Sequence, residues 1–442
     1  MLRTFAHRFF SDRSGNVAMI FALSIIPVIF LTGMALDFTS ATQKRIRLNA
    51  AADAAALAAV TPNMMTKTTS AAQTAAQNIF KAEASTILNL NYTAPTVTIT
   101  TTGTTRTVKV SYTASSINSF PSVLGLFSGS SSANWPISGA STATSSTSPN
   151  INFYLLLDNS PSMAIAATTA GVATMVANTS SQGGCAFACH ESNPSGDGLG
   201  NPGGEDNYTL AANLGVTTRI QNVATAVQSL ATTAKNAAAA NNATYQMAIY
   251  TFNQSGINTI QSLTSNMTTA GSAASNVDVV EVYDQSYFTK TNNNDDSDTD
   301  FDTAMSAMNS TSIMPTPGTG SSSSTPQGVL MIVTDGVDDK QNTTCTQPLV
   351  DTTRCQEPFN TTWCTTIKAR GFRIAVLYTV YLPLPTNSWY NSYISPFQST
   401  IATNLESCAS TGLFFSVTTD GDITSALQAL FSQAIYAARL TQ

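Results

Sequence analysis

The sequence predicts an α/β fold: a central, mostly parallel sheet flanked by helices, preceded by a transmembrane helix and a small α+β module. Three features predict it. Residues 151–440 alternate short apolar runs with helical patterns, the order expected when parallel strands are joined by crossover helices. Residues 17–36 read VAMIFALSIIPVIFLTGMAL without a charge, and 20 helical residues rising about 1.5 Å each span roughly 30 Å of hydrocarbon. Residues 96–101 and 105–112 flank Thr102-Gly103-Thr104 with the alternation of a β-hairpin.

Composition narrows the function classes. At 442 residues and 43% hydrophobic content the chain can build more than one core. Charged residues make up only 10%, well below the usual quarter, which fits an exported or cell-surface protein better than a cytosolic enzyme. With 19 basic against 25 acidic residues, and no dense basic stretch beyond the N-terminal region, nucleic acid is not expected as a partner.

Residues 1–16 carry Arg3, Arg8 and Arg13 and are expected in the cytoplasm, with 17–36 as the transmembrane helix. Pro27 is tolerable there because neighbouring groups can satisfy the freed carbonyl. A cleaved signal peptide is the rival reading, but the apolar run is long for one and no small-x-small site ends it cleanly. A prepilin-like cut after Gly15 lacks a glutamate at the fifth position beyond it. Flanking charges balance, since Lys44, Arg45 and Arg47 face the three N-terminal arginines. Orientation therefore follows from the long C-terminal part, which translocates largely regardless of charge.

Residues 37–61 continue as an Ala-rich helical extension, either packed against a similar helix or standing as a solvated stalk. Asp37 reads as an interfacial residue. Residues 62–142 form the α+β module, with a helix at 70–84, the hairpin, and an irregular or short helical cap at 120–135. Residues 143–150 read as a linker, because the run STATSSTS at 141–148 has no apolar anchor.

Residues 151–442 form the main domain. Strands are expected at 151–157, 245–252, 328–333, 372–380 and 413–417, and helices at 219–240, 300–308, 364–370, 395–408 and 423–439. Insertions interrupt it near 183–207 and 341–358. Six cysteines in an exported chain imply disulfides. Six allow 15 pairings; the preferred ones are Cys364–Cys408, Cys345–Cys355 and Cys185–Cys189.

The chemistry concentrates at two strand ends. DNSPSM after the first strand offers Asp158, Ser160 and Ser162, and TDG after the strand at 328–333 offers Asp335. Carboxylates and hydroxyls are hard donors, suited to Mg²⁺, Mn²⁺ or Ca²⁺. If the two strands are neighbours in a parallel sheet, both loops lie at its carboxyl edge, where ligands bind.

The order of these residues resembles the metal-ion-dependent adhesion site (MIDAS) of von Willebrand factor A (vWA) domains, over residues 151–440. The resemblance implies a third oxygen from a threonine on another loop; Thr299 in SDTDFDTAM fits best, with Thr303 second. It also implies an open coordination position that attracts an acidic side chain of a partner protein.

Other constellations are weaker. The acidic cluster Asp295, Asp296, Asp298, Asp300 and Asp302 lacks the glycine and distal glutamate of an EF-hand loop and reads as solvated. Cys185-Ala186-Phe187-Ala188-Cys189-His190 lacks a fourth zinc ligand and is one residue too long for haem attachment. Asp338 and Asp339 read as tuning the field around the site without ligating the cation. HExxH, GxSxG and GxxxxGK[ST] do not occur, and His7 and His190 are the only histidines, so the expectation is a protein that is not an enzyme.

The stretch RSGNVAMIFALSIIPVIFLTGMALDFTSATQKRIRLNAAADAAALAA resembles the membrane segment of TadE/TadG-like Tad (Flp) pilus-assembly proteins. Gly15-Asn16, Gly33, Asp37 and Asp53 are its marks, with GCAFACH, Cys364 ahead of Lys368 and Gly371, and Cys408 further along. The resemblance implies a single-pass bacterial inner-membrane protein with its C-terminal domain in the periplasm. That domain would bind pilus-assembly or cell-envelope partners through the cation. A surface adhesin using the same site without a pilus is the alternative.

Overall fold

A computed structural model describes residues 15–119, 134–195, 200–283, 299–342, 344–350 and 354–440. The expected cytoplasmic residues up to 14, residues 120–133 of the expected cap and the acidic residues Asp295, Asp296 and Asp298 lie outside the described residues. The chain divides into two compact units between Thr147 and Ser148.

In the first unit a single helix, α1 (Gly15–Ala58), contains both the expected transmembrane segment and the Ala-rich extension without a break. Its first half is apolar and exposed, with Val17 at 74% and Leu31 at 67%, and is long and apolar enough to cross a membrane. Its second half buries Ala41, Leu48, Ala52 and Ala55, one helical stripe by their spacing. That stripe packs on α2 (Thr69–Ala84) and on a sheet of β1 (Leu90–Tyr92), β2 (Thr96–Thr102), β3 (Thr105–Ile117) and β4 (Asn134–Ser146). The Ala-rich stretch is thus the core helix of its own module. Its small side chains admit the sheet closely, which removes the need for a second membrane helix or for solvation. Asp37 is buried, and its Oδ1 accepts the Ser119 N–H at 2.8 Å.

The hairpin forms as expected, with Thr102 opposite Thr105 and Gly103 left-handed at φ 58°. The linker expectation needs correction. Residues 143–146 are the end of β4, which pairs antiparallel with β3 from Ile117↔Asn134 to Thr105↔Ser146. A Ser/Thr run reads as unstructured by composition, yet Ile137 and Ala143 point inward while their neighbours stay wet. Half-buried threonines suit a pleated strand.

In the second unit the strands are β5 (Ile151–Asp158), β6 (Tyr245–Asn253), β7 (Gly256–Thr264) and β8 (Gln327–Thr334). A separate ribbon of β9 (Val337–Gln341) and β10 (Arg354–Pro358) follows, then β11 (Arg373–Thr379) and β12 (Phe414–Val417). The six-stranded sheet runs β12-β11-β8-β5-β6-β7, parallel except for β7 at its edge. Neither β7 nor the ribbon that leads into and closes the expected insertion was legible, because both are polar and irregularly patterned. The helices α3 (Arg219–Asn241), α4 (Phe301–Met308), α5 (Thr362–Ala369), α6 (Gln398–Cys408) and α7 (Ile423–Leu440) cover both faces.

Strand β5 explains the layering. Phe153, Leu155 and Leu157 join one core with Val223 and Leu230 of α3 and Phe431 of α7. Tyr154 and Leu156 point the other way, among Phe301 of α4, Ile367 of α5 and Leu405 of α6. A strand buried on both faces is a continuous apolar run, and each fully buried large side chain contributes about 1.5–3 kcal/mol. Disulfide Cys364–Cys408 ties α5 to α6, and Cys345–Cys355 closes the ribbon's loop. Cys185 and Cys189 are not joined. The preference for a third disulfide is corrected to a pair of thiols, with Cys189 hydrogen-bonded to Cys185.

Candidate metal centre

Strand order reverses between β5 and β8, so their outgoing chains part and leave a crevice at the carboxyl edge of the sheet. Asp158 ends β5 and Asp335 follows β8, and both are fully buried. Asp158 Oδ1 accepts the Ser160 N–H at 3.1 Å and the Ser160 hydroxyl at 2.6 Å, closing a turn that aims Ser160 inward. Oδ2 accepts the Thr334 hydroxyl at 2.6 Å, and Thr334 Oγ1 in turn accepts the Gly336 N–H at 2.9 Å. Ser160 Oγ and Ser162 Oγ stand 3.1 Å apart.

Asp335 is held less completely. Its Oδ1 accepts the Val337 N–H at 3.3 Å, whereas Oδ2 is buried with no hydrogen-bond partner among the described residues. An unsatisfied buried carboxylate oxygen costs free energy, and such orphans are rare.

Ser160, Ser162 and Thr299 line one cavity of about 270 Å³. Thr299 is held there by paired backbone hydrogen bonds with Asp339, N–H to O at 2.8 Å and O from N–H at 2.9 Å. Thr303 is elsewhere: exposed, its hydroxyl donates to Asp300 Oδ2 at 2.6 Å and closes the N-terminus of α4. Of the two threonines, only Thr299 shares the cavity with the serines.

Electrostatics follow from burial. Burial, and then the neighbouring Asp335, push the Asp158 carboxyl well above the usual carboxylate range. Burial raises Asp335 as well, opposed by the Arg219 guanidinium and by a hydrogen bond from the Ser162 side chain. Arg219 is buried in α3 and donates from Nη2 to Val380 O at 3.1 Å. Two buried carboxylates against one guanidinium leave negative charge, which either a proton or a divalent cation would neutralise. The donor set of hydroxyls and carboxylates, with a free buried oxygen, fits a hard cation.

The two other aspartates named from the sequence are already committed. Asp339 takes a two-pronged hydrogen bond from Arg354, 2.8 Å at Nε and 2.6 Å at Nη2, and a third from Gln356 at 2.8 Å. Asp338 pairs with Lys340 and accepts the Phe301 N–H at 3.0 Å; burial pushes its carboxyl up to about 7 against the pull of Lys340. Arg219 and Thr334 were missed. Thr334 stood in plain sight beside Asp335, but only strand pairing reveals that it reaches Asp158. Nothing in the sequence marks Arg219.

Fold and site together define a membrane-anchored protein with a doubly wound α/β domain and, at its switch point, a cavity that mixes hydroxyls with aromatic side chains. Residues 15–78 match the family model described as Putative Flp pilus-assembly TadE/G-like. No curated protein matches the sequence. Among solved structures, the chain is similar to the vWF domain of the type V pili tip protein Mfa5 from Porphyromonas gingivalis. That likeness has 9% identity and a TM-score of 0.37, covering 66% of this chain and 97% of that one. It is also similar to the pilus adhesin SpaC from Lactobacillus rhamnosus GG, with 11% identity and TM-score 0.35 over 79% of this chain and 34% of that one. The PilB minor pilin from Streptococcus sanguinis is similar at 10% identity and TM-score 0.34, covering 79% and 78%.

Proposed function

We propose that this protein serves assembly or anchoring of Tad (Flp) pili, held in the bacterial inner membrane by α1 with its vWA-type domain in the periplasm. The domain binds a protein partner through a divalent cation, Mg²⁺ or alternatively Mn²⁺ or Ca²⁺, and does not catalyse a reaction. Asp158, Ser160, Ser162, Thr299 and Asp335 hold the cation, directly or through water. The observation that carries this reading is the buried Asp335, whose Oδ2 has no hydrogen-bond partner among the described residues, beside the equally buried Asp158, while Ser160, hydrogen-bonded to Asp158, lines one cavity with Ser162 and Thr299. With the Arg219 guanidinium beside the two carboxylates, a divalent cation would keep part of its charge unbalanced, so the partner contributes an acidic side chain.

Calorimetric titration of Mn²⁺ and Mg²⁺ into the full-length protein in detergent micelles tests the site. Binding by the wild type that is lost in Asp335→Asn supports it; equal heats in both overturn it. Co-purification with pilus or secretin components in the presence of Mg²⁺, lost in chelator, supports the partner reading. A surface adhesin would ignore those components.

A further inference from the structure

The cavity that receives Ser160, Ser162 and Thr299 is lined on another part of its wall by Cys185 and Cys189. The four other cysteines are paired in disulfides, while these two are thiols joined by a hydrogen bond. Their loop is fixed on both sides of each sulfur. Thr179 Oγ1 donates to Cys185 O at 2.9 Å, and Tyr208 N–H donates to Cys189 O at 3.1 Å. Ala188 N–H donates to Ala164 O at 3.0 Å, and Phe187 bridges to Ile165. The thiol loop is therefore laddered to the residues that directly follow Ser162.

We propose that Cys185 and Cys189 form a thiol–disulfide exchange site that opens on this cavity and takes disulfide donors. Thiol exchange requires access and a nearby second sulfur, and the cavity and the hydrogen-bonded pair supply them. Cys185 is the more exposed and attacks first. Its thiolate bonds to one sulfur of the donor and expels the other as a thiol. Cys189 then attacks Cys185 in the mixed disulfide, expels the second donor thiol and closes the Cys185–Cys189 bond. The protein dithiol loses two electrons and two protons, and the donor disulfide gains them as two thiols. The reverse sequence restores the dithiol. The other two disulfides are structural and stay outside this exchange.

Full-length protein in detergent micelles is equilibrated in glutathione buffers of graded redox ratio, quenched with a maleimide and analysed by peptide mass spectrometry. The expected result is full interconversion of the 185–189 peptide between doubly alkylated and disulfide forms, at ratios that leave Cys345–Cys355 and Cys364–Cys408 oxidised. Cys189→Ser should retain one glutathione on Cys185, and Cys185→Ser should form its adduct about tenfold more slowly. The wild-type measurement needs no variant to fold. A pair that stays oxidised until the other disulfides are also reduced overturns the proposal. So does a pair that reacts with neither glutathione disulfide nor maleimide until the protein is unfolded.

Discussion

The Thr334 hydroxyl donates to Asp158 Oδ2 at 2.6 Å, a hydrogen bond between residues 176 apart in the chain that ties the ends of two adjacent parallel strands. It fixes the direction of the Asp158 carboxylate and leaves Ser160 to hold the other oxygen. Replacing the donor by an isosteric methyl, Thr334→Val, leaves a buried carboxylate oxygen without it. The expected loss is about 1–3 kcal/mol, read as a lower urea midpoint at unchanged slope.

The two candidate threonines separate cleanly. Thr299→Ala should weaken Mn²⁺ binding by about tenfold or more, or roughly 1.4 kcal/mol, with little change in thermal midpoint. Thr303→Ala should leave Mn²⁺ affinity unchanged while costing the start of α4 about 0.5–1.5 kcal/mol, since its bond to Asp300 is local. Reversed outcomes would assign the third oxygen to Thr303.

Gly336 is left-handed, at φ 78°, and a Cβ there would lie 2.5 Å from Ile401 Cγ2 and 2.8 Å from Leu405 Cδ1. Gly336→Ala therefore meets both backbone strain and α6. A loss of about 2–4 kcal/mol is expected in chemical denaturation.

The disulfides should differ in weight. Cys364–Cys408 closes 44 residues between helices and Cys345–Cys355 only 10 within a ribbon loop. Paired Ser replacements should cost roughly 3–4 kcal/mol for the first and less for the second, measured by thermal unfolding.

His190 and Asp206 predict a pH dependence. Their ion pair is 2.8 Å long, with His190 one-third exposed. The hydrogen bond to Asp206 raises the His190 imidazole above its ordinary 6.5, against burial. Burial pushes the Asp206 carboxyl up, but hydrogen bonds from His190, Thr209 and the Glu191 N–H outweigh it and hold it well below 3.8. A raised histidine stabilises fully below pH about 6.5 and is lost as pH rises through its folded value. A depressed aspartate stabilises above about 3.8 and is lost as pH falls through its own. His190→Gln should therefore lower the thermal midpoint more at pH 5 than at pH 8; equal shifts would remove the pair's role.

Periodicity served where each residue's surroundings are set by its own segment. β5 and β8 were readable because strands buried on both faces must be continuously apolar, and the crossover helices because their apolar residues repeat at helical spacing. β4 failed that test, since its Ser/Thr composition matches a linker until β3 supplies the backbone partners. The same holds for β7 and the β9–β10 ribbon, whose strand partners lie close in the chain but whose polar patterns do not announce the pairing.

Within the cavity, residue types were legible and their relations were not. The sequence by itself determined the membrane-length helix, the alternating α/β order, and the strand-end strings that carry Asp158, Ser160, Ser162 and Asp335. Tertiary structure alone decided that Thr334 reaches Asp158, that Asp339 is spent on Arg354, and that Arg219 lies among buried carboxylates. It also decided that Thr299 rather than Thr303 shares the serines' cavity, and that Cys185 and Cys189 line it too. Chain pattern records local burial, whereas hydrogen-bond partners and buried charge depend on which distant segments the sheet order brings together.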